Sequence, residues 1–204
     1  MYFDDYGEIP LCWLYDFKEC GASEFSIRHS FLSTEGRPRY EPLAYKGKPT
    51  EVFGFFETTR MVYDAEQGVT EQAKERYINR HNIWERSYDD DGNLIPIAAR
   101  TPRPLVYFLN REWPVGDAAI LAAAKSTADQ WNKALLDVVK SLGIDPGNKR
   151  MFILCENNPV KKGDPEQCGR EGNSPRLGDV RYSFMAYVPK YMSYGLLGLG
   201  PSNI

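Results

Sequence analysis

Leu105-Val106-Tyr107-Phe108-Leu109 is an unbroken apolar run, the composition of a strand buried on both faces of a sheet. Asp117 stands where a helix N-cap belongs. Behind it Ile120, Ala124, Thr127, Trp131, Leu135, Val138 and Leu142 recur at steps of three and four. Gly143 follows as the C′ residue that ends the helix. The side of the helix bearing those apolar residues is expected to lie on a sheet. Met151-Phe152-Ile153-Leu154-Cys155 reads as a second short buried strand. Strand, long amphipathic crossover and strand predict parallel pairing through a right-handed connection. Residues 179–188 then alternate, with Val180, Tyr182, Phe184, Ala186 and Val188 on one face, and read as a third strand.

Residues 1–100 have a different texture, rich in aromatics and turn formers. Residues 24–32 and 51–56 carry the aromatic and β-branched content of strands, with Arg37-Pro38-Arg39, Glu41-Pro42 and Gly47-Lys48-Pro49 as loops between them. Thr70 is expected to cap a short helix through Glu71, Gln72 and Ala73, followed by a strand within residues 77–86. Asp91-Gly92 sits in a turn spanning residues 88–94. Arg100-Thr101-Pro102-Arg103-Pro104 marks a boundary between a β-rich region, 1–100, and the strand-helix-strand-strand region, 101–204.

Composition limits the partners. The chain has 204 residues, 42% of them hydrophobic, enough to bury a core. Its formal charge is −3, and its basic run stops at the pair Lys161-Lys162, so nucleic acid is not an expected partner. The longest apolar stretch, Ala118 to Ala124, falls far short of the ~20 residues a membrane-spanning helix needs. The acidic start Asp4-Asp5 is unlike a signal peptide, so export would use a signal outside this sequence.

Four cysteines fall as two local pairs, Cys12 with Cys20 and Cys155 with Cys168. Three connectivities are possible, and the spacing favours the local one. The polar segment between Cys155 and Cys168 has little to pack with, so a staple there is expected, and with it an oxidising compartment, secreted or cell envelope. The absence of any Cys-x-x-Cys argues against a four-cysteine zinc site.

Residues 103–110, the helix around Gln130-Trp131-Asn132-Lys133-Ala134, Gly178-Asp179-Val180-Arg181-Tyr182-Ser183 and Gly198-Leu199-Gly200-Pro201-Ser202 together resemble the zincin-like metallopeptidase domain of large bacterial envelope proteins. Upstream, residues 54–59 and 79–84 look like the β-rich region that precedes such a core. The resemblance covers residues 50–204. It implies an α+β fold in which a partial mixed sheet is backed by one long helix. It also implies a continuation in which an edge strand pairs with a peptide substrate and a helix carrying His-Glu-x-x-His supplies zinc ligands and a general base. Neither segment occurs in these residues, so no catalytic or metal-binding position is carried over. The implied role is that of a scaffold fragment of a secreted zinc peptidase whose open sheet edge is covered by further polypeptide or by a protein partner. The competing expectation is a non-enzymatic envelope or interaction protein built on the same scaffold.

The remaining polar candidates stand alone. His29 and His81 lack a second ligand at metal spacing and read as surface or hydrogen-bonded side chains. Asp89, Asp91 and Asn93 gather hard oxygen donors of the kind calcium takes, but without the distal bidentate glutamate of an EF-hand, and a solvated turn is the better reading. Trp84, Trp113 and Trp131 read as core. Nothing in the sequence singles out Glu85, Asp117 or Asp179 as a catalytic acid pair.

Overall fold

A computed structural model describes residues 2–4, 7–9, 29–33, 35–36, 39–46, 54–114 and 116–187. The chain divides into two compact units, Met1–Phe31 and Leu32–Ile204. In the first, β1 (Tyr2–Asp4) and β2 (Gly7–Ile9) pair antiparallel, with Tyr2 opposite Ile9. The strand expected over 24–32 lies partly outside the described residues, and residues 29–33 have no regular structure.

In the second unit, β3 (Glu57–Asp64) and β4 (Gly68–Ile78) form an antiparallel hairpin. Of the strand expected over 51–56, residues 51–53 lie outside the described residues, 54–56 are irregular, and the described pairing starts at Glu57. The helix expected from Thr70 is absent, because those residues belong to β4. Gly68, at φ 72°, closes the turn, and opposite charges face each other at Arg60 and Glu75. Arg76 also grips both carboxylate oxygens of Glu57. A two-stranded ribbon is marginal in water, and here its base gains a third partner. Tyr45 N–H donates to Arg76 O and Ile78 N–H to Leu43 O.

Residues 79–104 run without a regular strand, although one had been expected within 77–86; an isolated bridge joins Trp84 to Pro102. The segment is clasped instead by charge. Arg100, its side chain 1% exposed, donates from Nη1 to Glu41 Oε2 at 2.6 Å and from Nε to Ile95 O at 2.8 Å. Arg80 reaches the same carboxylate oxygen at 3.6 Å. The expected Asp-Gly turn is present: Gly92 has φ 83°, and Asp89 N–H donates to Asn93 O.

The second sheet has strand order β6-β5-β7, where β5 is Leu105–Leu109, β6 Phe152–Cys155 and β7 Ser183–Met185. All of its described pairings are parallel, with Leu105 opposite Phe152 and Tyr107 opposite Ser183. The chain is therefore an α+β protein, and among the described residues antiparallel pairing is confined to hairpins and isolated bridges. β7 is shorter than the run expected over 179–188. Asp179 draws residues 179–182 into a turn, its carboxylate accepting from Arg181 N–H and its carbonyl from Tyr182 N–H. Val188 lies outside the described residues.

Helix α1, Ala118–Ser141, connects β5 to β6 and packs on β6. Asp117 Oδ1 caps it by accepting from Ala119 and Ile120 N–H, and Gly143 leaves it at φ 79°. Its inward face differs from the expected stripe. Ala124, Ala128 and Val139 are buried, while Trp131 is 51% and Val138 46% exposed. Two causes turn the helix this way. Alanines let its backbone approach β6 closely, and Asn132 must face inward, where its Oδ1 accepts from Met151 and Phe152 N–H at the start of β6.

The core on one side of this sheet is Phe108, Ile153, Cys155, Val160 and Cys168, with Val106, Tyr182 and Phe184 packed against it. Cys155 and Cys168 are disulfide-bonded, as the local pairing anticipated. Cys12 and Cys20 lie outside the described residues. No described helix is long and apolar enough to cross a membrane.

Candidate functional site

A central strand of a parallel sheet is normally covered on both faces. β5 departs from that rule. Phe108 and Leu109 are buried, but Leu105, Val106 and Tyr107 are only half-buried, contrary to the expectation of a fully covered strand. The exposed half opens into a trough of about 1130 Å³. Its walls are β5, the ends of β6 and β7, the segment His81–Glu85 and the α1 side chains Lys125, Ala128 and Asp129.

The floor is aromatic. Tyr107 stacks on Phe152 at 4.9 Å between centroids, and His81 meets Tyr107 edge-on at 6.2 Å. The parallel register sets Ser183 beside Tyr107, whose hydroxyl lies 3.5 Å from His81 Nε2. Burial lowers the His81 pKa below its ordinary value, so the ring is neutral at pH 7. Burial also pushes the Tyr107 phenol up, partly offset by its hydrogen bond with Ser183. Tyr107 thus stands between serine and imidazole.

The rim carries charge. Lys125 pairs with Glu156 at 2.8 Å and Arg150 with Asp129 at 2.5 Å, so both pairs tie α1 to the ends of β6. Arg103 Nη2 donates to Asn82 O, fixing the approach to β5 against the segment that bears His81.

At the carboxyl ends of the strands, side-chain amides replace the missing ladder. Asn110, 3% exposed, accepts from Tyr187 N–H and donates to Tyr187 O, extending the β5–β7 pairing beyond the last strand residue. Asn158 Nδ2 bridges Leu109 O and Pro175 O, and Ser174 Oγ donates to Asn158 Oδ1. This end is closed by its own hydrogen bonds.

The residues singled out in the sequence are dispersed. Asp89 accepts from the backbone N–H of Asn93, which lowers its pKa, and from Asn93 Nδ2, so its oxygens serve the turn it shares with Asp91. His29 is exposed, Asp117 caps α1 and Asp179 pairs with Arg181. Glu85 and His81 reach the trough. Trp84 is buried as expected, Trp113 is half-buried, and Trp131 is on the surface. Among the described residues no group of three His, Cys, Asp or Glu side chains could hold a metal ion. They therefore do not fit a zinc site, and no step through zinc is derived from them. The association of His81, Tyr107 and Ser183 was invisible in sequence, since 26 and 76 positions separate Tyr107 from the other two.

No known protein family matches this chain, and no curated protein or solved structure is similar to it.

Proposed function

We propose that this chain is the scaffold half of a zincin-like zinc peptidase, contributing the sheet and its backing helix but no catalytic residue. The observation that carries this reading is the half-covered central strand. Leu105 and Tyr107 face a trough beside α1, where a second amphipathic helix would complete the layer. In the resemblance drawn from the sequence, the segment still to come is an edge strand followed by the zinc-bearing helix. β7 offers a free edge for that strand, because it pairs only with β5 among the described strands. The Cys155–Cys168 bond suits the secreted or envelope setting of such enzymes.

The test uses the source gene's full product alongside this chain. The longer polypeptide should bind one zinc per molecule by inorganic mass spectrometry and cleave an unfolded protein substrate until chelator is added; this chain should do neither. A Leu105→Cys variant should react with a thiol reagent in this chain and be protected in the longer one. Zinc-free full product, or equal reactivity of the placed cysteine in both, would refute the reading in favour of a non-enzymatic scaffold.

A further inference from the structure

Two titratable side chains lie on the floor of the trough, Tyr107 and His81, and of these the imidazole is the one that changes charge between about pH 5 and pH 8. Its ring is half-buried, edge-on to Tyr107 at 6.2 Å between centroids, with Nε2 3.5 Å from the phenol oxygen. Partial burial already disfavours the imidazolium. A layer laid over Leu105 and Tyr107 also lies over this ring and takes away more of the water that an imidazolium needs.

The fixed charges around the trough do not offset that loss. On α1, Lys125 is paired with Glu156 and Asp129 with Arg150. Arg181, on the approach to β7, is held by Asp179. That leaves Glu85, on the segment that bears His81, and the two cations Arg103 and Lys149 at the approaches to β5 and β6, none of which is in an ion pair among the described residues. One carboxylate against two cations supplies no surplus of negative charge to hold a proton on the ring.

We propose that acid releases the layer covering this trough: the layer docks over a neutral His81 and is shed when the imidazole takes up a proton. The inference rests on the proposed function, in which an amphipathic helix of the longer polypeptide completes the sheet. Covering the ring lowers its proton affinity further, so docking expels a proton wherever the open trough carries one. Docking is therefore at full strength above the pKa of the open trough and weakens as pH falls through it, by at most about tenfold per pH unit for one group. Burial holds that pKa below the ordinary value near 6.5, so the weakening from about pH 7.5 to about pH 5.0 stays under about thirtyfold. A carboxylate presented by the helix beside His81 would reverse the sign.

The experiment follows Leu105→Cys in the source gene's full product and in this chain with a dipyridyl disulfide, a thiol reagent that works in mild acid. The ratio of the two rates at each pH is the protection, from which ionisation of the thiol cancels. Protection is expected at about pH 7.5 and should fall at least about threefold by about pH 5.0, with far-UV circular dichroism unchanged between the two. In a His81→Gln background it should stay within about twofold over the same range. His81→Phe, which keeps an uncharged ring, serves the same purpose if the glutamine variant does not fold. Protection that persists or rises in acid overturns this inference and leaves the proposed function standing. An equal loss in the His81 variants overturns it by assigning the effect to other groups. No protection at pH 7.5 overturns both, because there is then no layer to release.

Discussion

Removing the bond between Cys155 and Cys168 should cost this unit roughly 3 to 5 kcal/mol. The two residues are 13 apart in sequence. Closing a loop of that size restricts the unfolded chain by about 3 kcal/mol. The sulfurs also fill space, because Cys155 and Cys168 are 0% and 1% exposed within the cluster of Phe108, Ile153 and Val160. Replacing each with alanine removes one heavy atom from a close-packed site, adding about 1 kcal/mol apiece when the cavity does not collapse. The folded loop keeps other ties: Val160 N–H to Asn173 O, Gly172 N–H to Val160 O, and Asp164 accepting from Lys161 N–H. The C155A/C168A variant should therefore fold to the same structure with a Tm lower by about 6 to 20 °C. Urea denaturation followed by circular dichroism measures the loss. The dependence on urea should steepen, since the uncrosslinked unfolded chain exposes more surface. A loss under about 1 kcal/mol with unchanged steepness would refute the argument.

Glu41→Gln should destabilise by about 2 to 3 kcal/mol, because Arg100 keeps a buried charge with no counterion; the loss is below that of a fully buried pair since Glu41 is 23% exposed. Thermal unfolding reads it, and a neutral result would mean water replaces the carboxylate. Burial depresses the His81 pKa, so its stabilising share is complete above the ordinary value near 6.5 and is lost as pH falls through the folded value. His81→Gln should flatten the stability loss measured below about pH 6.5, whereas an unaltered profile would assign that loss to other groups. Asn110→Ala should cost about 2 kcal/mol by stripping both backbone bonds from Tyr187 at a site 3% exposed. Hydrogen exchange at the Tyr187 amide should rise with it, and unchanged protection there would show that the strand end holds without the carboxamide.

The elements legible in sequence were those whose signal is local. β5 and β6 are continuous apolar runs, and Asp117 and Gly143 mark both ends of α1. The orientation of α1 was not legible, because apolar residues lie on two sides of it. Burial fell to small alanines and to an asparagine that β6 needs, while the larger Trp131 went outward. The β3–β4 ribbon escaped detection for a related reason. Charged and polar residues pair across it at Thr59 and Arg76 and at Arg60 and Glu75, so it lacks the alternation of a half-buried strand. Its turn, Ala65-Glu66-Gln67-Gly68, has no Asn-Gly or Asp-Gly signature. The trough depends on the register of three strands and a loop, which no single stretch of residues encodes.

The Glu41 clasp bears on how the chain tolerates being cut. Residues 65–67 form an exposed turn, a natural place for a protease to nick. Behind that turn, Glu41 on one side holds Arg80 and Arg100 on the other, while Leu43 and Tyr45 bond to β4 and β3 lies along it. The severed halves would remain one particle in solution. Produced separately, pieces ending and beginning at this turn should find each other and complement, making the hairpin tip a place to split the molecule without taking it apart.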